Sequence, residues 1–186
     1  QIFNLTFLAG LLGAMIRMAT PIIFGTMGEI ITERSGVLNL GIEGIMLMGA
    51  MTGFLTTLHT GSLWLGVLAA ALVGILLSLL MAFLSVILGL SQHVSGLGIT
   101  LLSTGLAMFI YRLSVGSPVS PPTVNPFLPL AIPLLSNLPV VGKAFFNQYS
   151  LVYIAFLLIP IIWVLLFKTS WGLVIRTVGE NPLAAD

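Results

Sequence analysis

The chain has 186 residues, 58% of them hydrophobic and 6% charged, with a formal net charge of +1. Soluble domains carry about 25% charged residues, so this is not a soluble globular protein, and the near-neutral balance excludes the basic face of a nucleic-acid binder. Cysteine is absent, which removes disulfides, thiolate catalysis and cysteine-ligated metals.

No Asp, Glu, Lys or Arg occurs from Gly44 to Tyr111, a run of 68 residues. A membrane helix needs about 20 predominantly apolar residues, so this run alone holds three. The chain reads as an all-α, polytopic membrane bundle with about five membrane segments. Leu5 to Ile31 forms the first segment. Arg17 is its one interior charge before Glu29, with a stem long enough to snorkel to the headgroups. Pro21 removes a backbone donor and predicts a kink.

Glu29, Glu33, Arg34 and Glu43 place four of the chain's eleven formal charges in fifteen residues. Ser35-Gly36 breaks the helical pattern there. Ionisable groups at membrane depth face a bundle interior or a water-filled path, and non-helical backbone is tolerated only where protein or a cavity satisfies it. Two readings remain open on these grounds: a solvated turn between two spans, or a broken or re-entrant helix lining a path. The next helix is expected over Gly36 to Leu58, which puts Asn39 and Glu43, four apart, on one face. Glu43 either pairs with a protein group or offers a carboxylate to solute hydroxyls. Gly49 and Gly53 form a GxxxG pair that permits close helix packing.

His59 to Ser62 is a short polar turn. His59 and His93 lack the surrounding ligands of a metal site. Trp64 to Leu90 is long enough to span with tilt, and Gly66, Ala70 and Gly74 give it a small-residue stripe. Ser91 to Gly96 is a second polar break. The helix after it runs to about Arg112 and clusters Thr100, Ser103 and Thr104 within one turn, either as packing hydroxyls or as the polar wall of a path. Gly116 to Gln148 carries seven prolines between Pro118 and Pro139, which excludes a spanning helix. Tyr149 to Phe167 is the last span. Lys168 and Arg176 follow it as a basic flank, although Arg112 and Lys143 weaken the charge asymmetry across the membrane.

The segment ERSGVLNLGIEGIMLMGA, Glu33 to Ala50, resembles the signature of the permease subunits of bacterial ABC importers for nucleosides and simple sugars. These belong to a wider family that also carries branched-chain amino-acid and ribose permeases. RTVGENPLAAD, Arg176 to Asp186, resembles the cytoplasmic coupling segment of the same family. The wording around Asn39 is closer to the nucleoside branch than to the ribose branch. The resemblance implies a single transmembrane permease domain over 1–186, an outer-face Pro-rich loop over 116–148 and a coupling segment over 168–186. Its substrate path would hold Asn39, Glu43, Ser95, Gly96, Thr100 and Ser103. Coupling would rest on Arg176, Gly179, Glu180, Asn181 and Pro182, with a turn at Gly179 and a short helix starting at Asn181-Pro182.

The implied partners are an ATP-binding subunit, a second permease subunit, an extracytoplasmic substrate-binding protein and membrane lipid. The implied location is the bacterial cytoplasmic membrane. No cofactor is expected on the chain itself, because ATP would be bound by the partner subunit. The chain starts at Gln1 without a basic n-region, and it stops inside the second motif. By the resemblance it is expected to be a fragment that lacks a first span and roughly the second half of the permease. No GxxxxGK[ST], HExxH or GxSxG occurs, so no catalytic residues are assigned. An ATP-independent channel or secondary carrier, and a non-transporting membrane scaffold, are the other classes compatible with the polar breaks.

Overall fold

Among the described residues of the computed structural model, 5–116, 120–133, 136 and 141–181, the chain is almost wholly helical. Helices α1 (Leu5–Arg34), α2 (Ile42–Thr60), α3 (Leu63–Ala82) and α4 (Gln92–Val115) come first. Strand β1 (Pro129–Ala131), the short helix α5 (Val141–Phe145) and strand β2 (Asn147–Tyr149) lead into α6 (Ser150–Lys168) and α7 (Ser170–Glu180). The stretches Phe7–Arg34, Leu63–Ile87, Gln92–Val115 and Ser150–Lys168 are each long and apolar enough to cross a membrane. Pro21 lies inside α1 and Pro160 inside α6 without ending either helix.

The chain forms two compact units, one spanning Thr32–Pro126 and the other made of residues 1–31 and 127–186. In the first, α2 packs on both α3 and α4, which barely touch each other. Helix α2 carries Glu43, four threonines and His59 and does not reach the apolarity of the four membrane-compatible helices. A helix walled by protein on two sides does not need a lipid-compatible surface. Three of its threonine hydroxyls donate to the carbonyl four residues back, at 2.7–2.8 Å. The α2–α3 seam is built from small residues, as the GxxxG pair predicts. A Cβ on Gly53 would lie 3.1 Å from the Gly66 carbonyl oxygen and 3.4 Å from the Ala70 Cβ. The opposite face of α3 exposes Leu68, Leu72, Ile75, Leu76 and Leu79, as a lipid-facing surface does.

Three boundaries differ from the sequence-based expectation. Helix α2 begins at Ile42 rather than Gly36, because α1 closes with a Schellman motif. Gly36 takes φ 86°, its N–H donates to the Glu33 carbonyl, and the Val37 N–H reaches back to the Thr32 carbonyl, both at 3.0 Å. That left-handed turn suits glycine, and it sends the chain away from the helix axis. Helix α3 loosens into a π-helical turn over Phe83–Ile87 and ends before Gly89, at φ 61°. The second break therefore covers residues 88–91, and Gln92 to Gly96 already belong to α4.

The second unit holds α1 up to Ile31, α6, α7 and residues 127–148 of the Pro-rich segment. That segment is not structureless: β1 and β2 pair antiparallel, with Leu130 opposite Gln148. Gln148 is 1% exposed. Its side-chain amide donates to the Ala144 carbonyl at 2.6 Å and to the Gly13 carbonyl at 3.3 Å, and its oxygen accepts from Arg17 at 3.4 Å. Arg17 also lies 5.7 Å from the centre of the Tyr149 ring. Arg17 is thus held by protein groups rather than extended to headgroups. Pro118, Leu134, Leu135 and Pro139 of this segment lie outside the described residues.

Candidate functional site

The site grows from the break between α1 and α2. Residues 36–41 are non-helical, so their backbone groups need partners from elsewhere in the fold. Asn39, about nine-tenths buried, folds its side-chain oxygen back to accept from the Gly41 N–H at 3.0 Å. This is an Asx turn, and it places Asn39 before α2. Asn39 and Glu43 therefore do not share a helix face, contrary to the spacing argument.

Helix α4 supplies the remaining partners. The side-chain amide of Gln92 accepts from the Leu38 N–H at 2.8 Å and donates to the Gly36 carbonyl at 3.2 Å. About two turns further on, the Thr100 hydroxyl donates to the Leu40 carbonyl at 3.2 Å. Between them Gly96 lets the break approach: a Cβ there would stand 2.8 Å from the Leu40 Cβ and 3.0 Å from the Gly41 nitrogen. Gly44 does the same from the α2 side, where a Cβ would stand 2.5 Å from the Thr100 Cα and 3.1 Å from the Ser103 Cβ. The break is thus clamped on α4 by three hydrogen bonds and two glycine approaches.

Of the six predicted path residues, Asn39, Gly96, Thr100 and Ser103 meet at this α2–α4 crossing. Ser103 is fully buried, and its hydroxyl has no hydrogen-bond partner among the described residues. Ser95 is also buried with an unpartnered hydroxyl, but it lines a different groove of about 500 Å³ with Leu80, Leu84, Val94 and Ile99. Glu43 stands exposed in the first turn of α2, where the helix dipole favours a carboxylate. It makes no hydrogen bond or ion pair with another described residue. Gln92 was not singled out by sequence reasoning. The signal for it, one amide in the second polar break, carries no sign of a partner 54 residues away.

Toward the far ends of α2 and α4 lies a groove of about 680 Å³, lined by Leu47, Met51, Phe54, Tyr111 and Arg112 among others.

Of the predicted coupling residues, Arg176, Gly179 and Glu180 sit on α7. Thr169 caps this helix by accepting from the Gly172 N–H at 3.1 Å. Gly172 allows the tight corner with α6, because a Cβ there would collide with the Leu165 and Leu166 carbonyls. Arg176 donates within α7 to the Gly172 carbonyl at 3.3 Å and lies 5.2 Å from the centre of the Phe167 ring of α6, so the ring contact ties α7 to the end of α6. Trp171, Val174, Ile175 and Val178 recur at three- and four-residue spacing and form an apolar stripe, largely exposed at Trp171 and Val174. Glu180 is exposed at the last turn. Gly179 is helical rather than a turn, and Asn181 follows the helix in an extended conformation; the short helix expected from Asn181-Pro182 lies outside the described residues. A residue before proline is driven out of the helical region, which accounts for the stop. Pro182 lies outside the described residues.

Residues 8–186 match the family model described as branched-chain amino acid transport system / permease component. A putative glucose ABC transporter permease of Haloferax volcanii is 41% identical over 186 residues, covering 98% of this chain and 55% of the relative. A guanosine ABC transporter permease of Bacillus subtilis is 41% identical over 180 residues, covering 93% of this chain and 56% of the relative. A nucleoside ABC transporter permease of Lactococcus lactis is 39% identical over 180 residues, with 92% and 56% covered. The chain therefore spans little more than half the length of these curated relatives. No solved structure matches it. With a family match over nearly its whole length and several membrane-compatible helices, this chain is part of a multi-pass membrane protein and belongs to the branched-chain amino acid transport system / permease component family.

Proposed function

We propose that the protein is the membrane-spanning subunit of an ATP-driven importer that carries a nucleoside across the bacterial cytoplasmic membrane. The observation that carries this reading is the break at residues 36–41. It is a non-helical, uncharged stretch between α1 and α2, clamped on α4 and followed two residues on by an unpartnered carboxylate, Glu43. Such irregular backbone is characteristic of solute sites in transporters. In this reading Asn39, Gly96 and Thr100 shape the path while Glu43 and Ser103 offer it polar atoms. Ser95 belongs to a neighbouring polar wall.

The nucleoside assignment rests on the names of the Bacillus and Lactococcus relatives and on the Glu33–Ala50 segment. A hexose is the second reading, favoured by the haloarchaeal relative. ATP hydrolysis belongs to a separate subunit that receives α7, with Arg176, Gly179, Glu180, Asn181 and Pro182 in the docking segment. A second permease subunit completes the path, and an extracytoplasmic binding protein delivers the solute at the face of the Pro-rich segment. The C-terminal end of α4 then faces outward, and the break at 36–41 faces the cytoplasm.

Uptake of labelled guanosine and glucose by the full-length transporter with its partner subunits in proteoliposomes tests the reading. ATP-dependent guanosine uptake supports it, and ATP-dependent uptake of glucose alone replaces the solute. Uptake indifferent to ATP removes the coupling role and leaves a channel or secondary carrier.

A further inference from the structure

We infer that the outer end of the α2–α4 groove is a nucleobase subsite, with Phe54 and Tyr111 taking the ring face and Arg112 the acceptor edge of a 6-oxopurine. The inference rests on the nucleoside-importer reading and assigns a location and a base class within it. Phe54 and Tyr111 come from different helices, yet their ring centroids lie 6.2 Å apart with planes tilted by 41°. Both are half-buried and pack on the cluster of Met51, Leu55 and Ala107. That packing fixes the rings, while both residues also line the groove. Its volume of about 680 Å³ falls within the range of small-molecule sites, which are apolar with a few placed polar groups.

Charge argues that this groove faces a water-accessible interior rather than lipid. Glu43, Leu47 and Phe54 follow one another at four and seven residues and so share one face of α2. Glu43 lies at the cytoplasmic end of that face, so the charge that bears on the outer end is Arg112, which itself lines the groove. Its guanidinium makes no hydrogen bond or ion pair with another described residue, and such a group is not stable against hydrocarbon.

The chemistry of the outer end selects a class of ligand. Paired aromatic rings stack any base and favour the larger purine surface. The arginine fork presents parallel donors that match the adjacent O6 and N7 acceptors of a 6-oxopurine, whereas adenine places an amino donor beside N7. A sugar without a base has no π-face to offer. Phe54 stands eleven residues beyond Glu43, about 16 Å along the helix, so Glu43 belongs to a separate stage of the path.

The test is competitive, ATP-driven uptake of guanosine, adenosine and cytidine by the full-length transporter with all its partner subunits. The binding protein is identical in every variant, so a changed ratio between nucleosides reports the permease. Phe54→Leu and Tyr111→Leu keep apolar bulk but remove the ring, and should lower the guanosine-to-cytidine ratio about fivefold. Arg112→Met should lower the guanosine-to-adenosine ratio about tenfold. The ring-conserving variants Phe54→Tyr and Tyr111→Phe should keep wild-type ratios, which guards against a mere folding defect. Equal losses for all three nucleosides, or unchanged ratios, overturn the subsite while leaving the importer reading intact. A wild-type transporter that carries glucose and no nucleoside overturns the solute assignment and the subsite together.

Discussion

A Cβ built on Gly44 of α2 would lie 2.5 Å from the Cα of Thr100 on α4. No side chain fits at that distance, so the two helices cross at backbone contact. The approach brings the Thr100 hydroxyl within reach of the Leu40 carbonyl. Gly44→Val should force the helices apart, at a cost of about 1–3 kcal/mol as for other overpacked sites. Thermal unfolding of the purified full-length transporter measures it, with Gly44→Ala expected to fall between valine and wild type. Wild-type stability in the valine variant would show that the crossing is looser than described.

Gln92 is the only side chain whose amide satisfies both a donor and an acceptor of the 36–41 break among the hydrogen bonds described above. Gln92→Leu leaves the Leu38 N–H and the Gly36 carbonyl without those partners, at about 0.5–1.5 kcal/mol for each hydrogen bond. The expected outcome is faster hydrogen exchange at Leu38 together with slower uptake. Gln92→Glu keeps the acceptor for Leu38 but faces the Gly36 carbonyl with another oxygen, so it should fall no closer to wild type than halfway. Unchanged exchange in Gln92→Leu would remove Gln92 from the clamp.

Ser103 is fully buried with an unpartnered hydroxyl. A buried polar group without a hydrogen bond costs about 1–3 kcal/mol, so Ser103→Ala should leave thermal stability unchanged or raise it. Reduced uptake at unchanged stability then identifies the hydroxyl as a contact for the solute. A clear loss of stability would mean that the full-length protein supplies Ser103 with a structural partner.

On α7, Arg176 and Glu180 separate by what holds them. Arg176 ties the helix to α6 through the Phe167 ring, an interaction of about 0.5–1 kcal/mol at an exposed site, while its hydrogen bond to the Gly172 carbonyl stays within α7. Arg176→Ala should therefore loosen α7 and lower both ATP hydrolysis and uptake. Glu180 is exposed, so Glu180→Lys should preserve stability while reducing solute moved per ATP hydrolysed. A wild-type ratio of transport to hydrolysis in Glu180→Lys would falsify its coupling role.

Much of this architecture follows from local chemistry. The charge-free run from Gly44 to Tyr111 dictates membrane helices, because no charged side chain interrupts it. Ser35-Gly36 marks the end of α1, because a left-handed residue is needed there and glycine adopts it freely. The segments at Glu33–Ala50 and Arg176–Asp186 carry the family likeness without any structure. Helix starts were harder to place. Asn39 looked helical by its spacing to Glu43, but its side chain closes an Asx turn, and Gly179 looked like a turn but continues α7.

Only the tertiary structure decided which distant residues meet. Gln92 reaches Leu38 across 54 residues, Gly44 fits against Thr100, and Phe54 pairs with Tyr111. Periodicity reports which face of one helix a residue occupies, and it is silent on which neighbour that face meets. That choice depends on where small residues let backbones touch and on which carbonyls and amides of the break remain to be satisfied. Composition and local pattern therefore determined a broken-helix membrane protein of this family, while packing around Gly44, Gly96 and Gln92 decided what the break is held against.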